Sequence, residues 1–365
     1  MDKKIRILAI AAAVAASIII VTSPSNPIVI PKPTASPLGT DAVQVVATSL
    51  QKPWSIASSD GKIFFTEKVG RIRVIDNGIL VNESVADLRV ADITDAGLLG
   101  ITLHPDYEKN HYIYVYYTYQ EDSNLWNKVL RITESNDRIV DAKTILDKIP
   151  AAEFDNGGVI KFGPDKKLYI GTGDATDQSL AQNKTSLAGK ILRLNDDGSI
   201  PQDNPFPNSP VYSFGHRNPQ GLAWDNIGNM YETEEGPTRN DEINLIKAGQ
   251  NYGWPNQECV GSATSQAAVV CYNPSIEPAG ITFYSLGKID LKDSLILATL
   301  RGNILYQLIP QENGTITEQK ILLEGVGRIR DVNEGSDGYL YIITSNTDGR
   351  GFPDQNDDKL LRIVK

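Results

Sequence analysis

An all-β, six-bladed β-propeller of four-stranded blades is the fold that this 365-residue sequence predicts. Two observations carry the prediction. Short apolar or alternating runs recur between Asp, Asn and Gly turns, with almost no helical periodicity. Several of these runs also share one unit: an apolar strand, a Gly/Pro/Asp turn, then a second strand holding an aromatic residue. The copies read WSIASSDGKIFFTEKVG, a looser ITLHPDYEKNHYIYVYYT, VIKFGPDKKLYIGTGD, GLAWDNIGNMYETEEG and RDVNEGSDGYLYIITSN, with turns at Asp60, Asp106, Asp165, Asn226 and Asp337. The turns are 46, 59, 61 and 111 residues apart, the last gap being about two periods. LILATLRGNILYQLI fills that gap as the sixth copy. A two-sheet sandwich does not explain a turn chemistry repeated at this spacing, whereas a propeller does.

Taken in order, the chain opens with a targeting segment over 1–24. Lys3, Lys4 and Arg6 precede an uncharged run over 7–23, which reads as a signal core or as a membrane tether. Residues 25–41 are Pro-rich and read as an extended spacer. Residues 42–365 form the propeller domain. An extracytoplasmic location follows, secreted or anchored to the outer face of the membrane. Cys259 and Cys271 are the only cysteines, and in an oxidising compartment they are expected to form a local disulfide.

With 22% charged residues and a net charge of −10, the chain lacks the basic face a nucleic acid would need. An anionic ligand would instead require a local cluster of Arg or Lys. Propellers bind ligands at the mouth of the central channel, on loops next to strand ends. The loops at 95–100, 153–158, 173–178, 215–220, 235–241, 300–302 and 328–331 are therefore the places to look. The stretch 212–255 is the densest: GHRNPQG offers Arg217 and Asn218, and the Gly236–Pro237 turn sits among Glu232, Glu234, Glu235, Asp241 and Glu242. Turn carbonyls amid carboxylates suit a hard cation such as Ca²⁺, and a neighbouring guanidinium suits an anionic, oxygen-rich ligand. Read alone, the same stretch also fits a solvated acidic loop beside a structural Arg.

AGLLGITLHPDY, NGGVIKFGPDKKLYIGTGD, SLAGKILRLNDDG, GHRNPQGLAW, EGPTRNDEINLIKAGQNYGWP and RIRD follow one another through the chain. Together they resemble the soluble quinoprotein sugar dehydrogenases, the glucose/sorbosone or aldose sugar dehydrogenase family, over essentially everything after the spacer. The resemblance implies a six-bladed propeller that binds pyrroloquinoline quinone (PQQ) above the channel. It implies a Ca²⁺ that polarises the quinone, and oxidation of the anomeric C1–OH of an aldose sugar to a lactone, with electrons leaving to an external acceptor. By resemblance, Arg217 and Asn218 contact the cofactor, Asp174 faces it, and Arg328 and Arg330 hold its carboxylates, with Arg301 beside them. The carbonyls of Gly236 and Pro237 ligate the cofactor's Ca²⁺, and Glu242 with the Tyr252 carbonyl forms a second, structural Ca²⁺ site. The residue chemistry agrees: three carboxylates on a planar ligand suit bidentate guanidinium pairing, and Arg328 and Arg330, two apart in an extended segment, point to one side.

The sequence departs from the family pattern at the reacting end. Asp155 stands where the family has its general-base His, Asp95 replaces a Gln that contacts the reacting hydroxyl, Phe154 replaces a substrate-contacting Asp, and Arg301 replaces a Lys. If Asp95 and Asp155 flank one site, their like charges raise one pKa and yield a usable base. Two rival readings remain open: a non-catalytic Ca²⁺-binding propeller with a binding or cell-surface role, and a Ca²⁺-dependent propeller lactonase or hydrolase.

Overall fold

The computed structural model describes residues 33–365 apart from 36 and 292. The leader read at 1–24 and its apolar run lie outside these residues. No helix among the described residues is long and apolar enough to cross a membrane.

The described strands form six sheets, antiparallel except for one short edge strand added to blade five. From axis to rim, blade one is Pro53–Ser59, Lys62–Glu67, Arg71–Asp76 and Ile79–Leu80. Blade two is Leu98–Leu103, Tyr112–Glu121, Asn124–Ser135 and Arg138–Pro150. Blade three is Gly157–Phe162, Leu168–Thr172, Lys190–Leu194 and Val211–Phe214. Blade four is Pro219–Trp224, Met230–Glu234, Asp241–Ile246 and Val270–Tyr272. Blade five is Pro278–Tyr284, Ser294–Thr299, Ile304–Pro310 and Ile316–Glu324. Blade six combines Ile329–Glu334, Leu340–Thr344 and Leu360–Ile363 with Val43–Ala47 from the other end of the chain, which pairs with Leu360–Ile363 and closes the ring. The segment read as a spacer docks at Thr34–Ala35, which runs parallel to the outer strand of blade five in register with Lys320 and Ile321, and it ends in a short 3-10 turn over Thr40–Ala42.

The strand sequences follow from this geometry. A blade packs against a neighbour on each face, so its middle strands are apolar on both sides; LYIGT at Leu168–Thr172 and SLILAT at Ser294–Thr299 are buried at every position. Outer strands meet solvent, and the rim strand Arg138–Pro150 is mostly exposed over its first half. The innermost strands surround a channel lined by Ser55, Thr102, Lys161, Gly221, Gly280 and Asp331.

Antiparallel alternation sorts the connections onto two faces. The turns at Asp60, Asp106, Asp165, Asn226 and Asp337, which revealed the repeat, link first to second strands and share one face. The loops entering each innermost strand, and those joining second to third strands, share the other. All the residues singled out as cofactor contacts or as the base are on this second face.

The connection over 247–269 is the long exception in blade four. It brings Trp254 up beside Gly215, whose carbonyl accepts the Trp254 N–H at 3.0 Å. Cys259 and Cys271 are disulfide-bonded, tying this excursion to the outer strand Val270–Tyr272. Replacing both cysteines by Ser is expected to lower stability by about 3 kcal/mol through loss of the closed loop, read as a fall in midpoint in urea at unchanged slope. An unchanged midpoint would show that the loop is held by its other contacts alone.

Candidate active site

The floor of the cleft is Arg330 lying over Trp54. The guanidinium carbon is 4.1 Å from the indole centroid, and Nη2 donates to Gln220 Oε1 at 2.6 Å. Gln220 in turn donates to Asn218 Oδ1 at 3.0 Å, which also accepts the Gly157 N–H at 3.0 Å. Arg330 Nε is buried and has no partner. Burial pushes the Arg330 guanidinium down to about 10, with the nearby carboxylates opposing this. A buried cation with an orphaned donor is a site short of an anion.

On one wall, Arg217 forks between blades. Nη2 meets Asp155 Oδ2 at 2.9 Å, and Nη1 donates to the carbonyls of Glu235 and Gly236 at 2.9 and 3.2 Å. The Arg217 N–H donates to the Glu234 carboxylate, whose other oxygen holds His216 Nδ1 at 2.9 Å. His216 is fully buried between Glu234 and the Ser213 hydroxyl, so it orients the Arg217 turn and does not face the cleft. Trp254 lies 5.7 Å from the Arg217 guanidinium and donates Nε1–H to Asp174 Oδ2 at 2.8 Å. Asp174, 1% exposed, is thus held behind the wall by Trp254.

Asp155 sits at the tip of the loop entering blade three with φ of 55°, a left-handed conformation that Asp tolerates better than most residues. The loop can come this close because Gly173 has no side chain; a Cβ there would overlap the Asp155 carbonyl. Burial pushes the Asp155 carboxyl up to about 6; Arg217 opposes the rise, and Asp174 and then Asp95 add to it. The elevation expected from a carboxylate pair is therefore present, but its main cause is desolvation. Asp95 is engaged elsewhere, with Arg350 Nη2 at 3.0 Å. Glu235 is pushed up to about 7, again mainly by burial, with Arg217 opposing.

The opposite wall is a second ion-pair cluster. Arg328 donates Nη1 to Glu277 Oε2 at 3.1 Å, and Nε and Nη2 to Asp348 Oδ2 at 3.1 and 3.0 Å. Arg301 Nη2 meets the other Glu277 oxygen at 2.5 Å. Arg301 is 54% exposed and Arg328 only 8%, so the Glu277 carboxylate, which lines the cleft, is held between a solvent-facing guanidinium and a buried one. Between the walls Trp54, Lys68, Asp155, Asn218, Glu235 and Arg330 are among the groups lining one cleft.

Gly236, Pro237, Glu242 and Tyr252 line a single smaller hollow behind Arg217. Glu242 accepts the Cys259 N–H and the Asn244 amide, the latter at 3.1 Å, and Asn244 also donates to Glu232 at 3.0 Å. Burial, then the Glu234 charge, pushes Glu242 up to about 8. Ligand atoms of His216, Glu232 and Glu234 lie within 4.8 Å of one another. Buried carboxylates this dense, with no Lys or Arg side chain paired to them among the described residues, fit the surroundings of a hard cation.

Sequence reasoning missed Glu277, Asp348, Arg350, Lys68 and the cleft role of Trp54. Glu277 had a signal. It directly precedes the innermost strand of blade five, as Arg328 precedes that of blade six, and Asp155 and Arg217 stand two residues ahead of theirs. Asp348 and Arg350 had none, because their loop reaches the cleft through its own path and not through strand register.

Fold and site together define a class: a six-bladed propeller whose one face carries a cleft lined by Arg330 and Arg350, with the Asp155 carboxyl raised by burial at its edge. Residues 50–362 match the Glucose / Sorbosone dehydrogenase family, and the chain belongs to it. A putative oxidoreductase (glucose dehydrogenase) from Thermus thermophilus is 39% identical, with a TM-score of 0.82 over 88% of this chain and 98% of the other. The PQQ-bound aldose sugar dehydrogenase of Streptomyces coelicolor is 36% identical, with a TM-score of 0.79 over 88% and 97%. The aldose sugar dehydrogenase YliI of Escherichia coli is 28% identical over 84% of this chain and 91% of its own length.

Proposed function

We propose that this chain is an exported PQQ- and Ca²⁺-dependent dehydrogenase that oxidises the anomeric C1–OH of aldose sugars to lactones. The observation that carries this reading is the coexistence in one cleft of buried, anion-seeking Arg330 and an Asp155 carboxyl raised to about 6. When bound, PQQ supplies a two-electron acceptor, and Ca²⁺ supplies a Lewis acid beside it. Arg328 and Arg330 would hold its carboxylates, with Arg301 beside them, while Arg217 and Asn218 would hold its reacting edge. The carbonyls of Gly236 and Pro237 would take the cation, and Glu242 with Tyr252 the structural one.

In this reading Asp155 accepts the C1 hydroxyl proton. Its raised pKa keeps it a base above about pH 6 and makes it a stronger acceptor than an ordinary carboxylate. Arg217 fixes the Asp155 carboxylate by a charge-assisted bond and presents its remaining donors to negative charge developing in the cleft. Asp174, through Trp254, keeps the Arg217 side chain against the wall. The disulfide is consistent with an oxidising, extracytoplasmic location.

The test is dye reduction by the purified protein with added PQQ, Ca²⁺ and a panel of aldoses, after equilibrium dialysis has measured PQQ retention. Absence of PQQ binding would sink the proposal. One observation favours a second reading: Arg217 already occupies Asp155, as expected of a site that binds the cofactor without turning over. Binding without dye reduction would select that reading.

A further inference from the structure

The carboxylate of Glu277 has only guanidinium partners. Oε1 accepts from Arg301 and Oε2 from Arg328, at 2.5 and 3.1 Å, and neither oxygen accepts another hydrogen bond among the described residues. Asp348, the other carboxylate on Arg328, differs: its Oδ1 accepts the Arg350 N–H at 2.8 Å, so it is part of its own loop's turn. Glu277 is fixed from behind. Its N–H donates to Asp241 Oδ2 at 2.9 Å, and the same oxygen accepts the Ile276 N–H at 2.7 Å and the Ser275 hydroxyl at 2.8 Å. Its carbonyl accepts the Leu300 N–H at 2.9 Å. The backbone so held has φ of 49°, a left-handed conformation uncommon for Glu. Such strain persists where the surroundings over-determine it, as at ligand clamps. The side chain is 6% exposed and lines the cleft. Two guanidiniums on this wall are therefore balanced by two carboxylates before any ligand arrives. Three of the five Arg328 N–H groups are already taken.

We propose that Glu277 sets the affinity of the cleft for polycarboxylates: its carboxylate occupies the seat between Arg301 and Arg328 that a ligand carboxylate would take, and the ligand binds by displacing it. The inference rests on the reading of the cleft as a PQQ site. A carboxylate reaching this wall meets that of Glu277 first, and like charges so close oppose binding. Displacement is open to Glu277 and not to Asp348, because the Glu277 side chain breaks no backbone bond when it turns away. Arg301, 54% exposed, is free to follow the ligand. The displaced carboxylate loses both of its partners, and that cost is charged against every ligand. A ligand with a further carboxylate for Arg330, whose Nε is unpartnered, recovers it by being held at two points at once.

The experiment is a fluorescence titration of the cofactor-free protein with PQQ, read through tryptophan emission, for the wild type and Glu277→Gln. Gln keeps the size of the side chain and removes its charge. The dissociation constant for PQQ is expected to fall about tenfold or more in the variant. Its cofactor-free melting temperature should fall as well, because Arg301 and Arg328 lose a shared partner. Tighter binding from a less stable protein is the signature of displacement. A residue that only props up the two guanidiniums would weaken binding along with stability, so an unchanged or higher dissociation constant overturns the proposal. Glu277→Asp serves if the Gln variant does not fold. Its shorter side chain cannot span both guanidiniums, so PQQ should bind it more tightly than the wild type, and equal or weaker binding overturns the proposal. Isophthalate, an aromatic dicarboxylate with no quinone, is the second probe, followed by calorimetry. If PQQ binds neither protein, the PQQ reading falls and isophthalate still decides the role of Glu277. Tighter isophthalate binding to Glu277→Gln than to the wild type supports displacement; equal or undetectable binding overturns it.

Discussion

Asp155→Asn is expected to lower kcat for aldose oxidation by about 10²- to 10⁴-fold while PQQ affinity stays within a few-fold. Asn is the informative substitution because it tolerates the left-handed backbone at this position and can still accept the Arg217 hydrogen bond. Ala would add backbone strain to the loss of the base. The wild type carries a matching pH signature: kcat/KM should fall about tenfold per pH unit below about 6, where Asp155 is protonated, and level off above it. The Asn variant should lack that limb. Stability runs the opposite way. The Asp155 carboxyl rises from 3.8 in the unfolded chain to about 6 in the fold, so its stabilising contribution is complete below pH 3.8 and is lost as the pH rises through about 6. Asp155→Asn should therefore melt above the wild type at pH 8 and level with it at pH 3.5. A variant that keeps full turnover would remove Asp155 from the reaction; one with equal melting at both pH values would show that the carboxyl is not buried as described.

Arg330→Met should separate ligand binding from fold stability. Removing one charge of a buried ion-paired contact weakens binding by about 2–5 kcal/mol, so the dissociation constant for PQQ should rise by roughly 30- to 4,000-fold. Apo stability should hold or increase, because an unpaired buried guanidinium costs more than a thioether of similar volume packed on Trp54. Fluorescence titration with PQQ and thermal melting of the cofactor-free protein read the two effects. Equal PQQ affinity would show that the cluster on the opposite wall suffices. A large drop in apo melting temperature would show that the stack on Trp54 and the bond to Gln220 outweigh the burial cost.

The repeat was legible because its unit is local. A turn such as GPDKK or DGY sets strand direction within a dozen residues, and six copies leave little choice of architecture. Arg217, Arg328 and Arg330 were singled out through the family resemblance, and the structure sets them at three different offsets from their strand starts: two residues before, one before and one after. The pairing of Asp155 with Arg217 was not legible, because those residues are 62 positions apart and meet only through the packing of blade three on blade four. The cause of the Asp155 shift was also out of reach: sequence suggests neighbours, whereas desolvation depends on Gly173 letting the loop sink inward. Arg350 and Asp348 belong to a loop with no strand register to read. The docking of Thr34–Ala35 on blade five was hidden by a Pro-rich composition that reports extension but not contact.

The closing blade has a consequence for how the protein matures. Val43–Ala47 can seal blade six only after Leu360–Ile363 has left the ribosome, so the ring stays open until that strand is made. Arg328, Arg330, Asp348 and Arg350 all belong to that late blade, whereas Arg217 and Asp155 belong to connections completed much earlier. A ligand held by both groups would draw the last-made blade against blades three and four, and by mass action its binding energy would add to the stability of the closed ring.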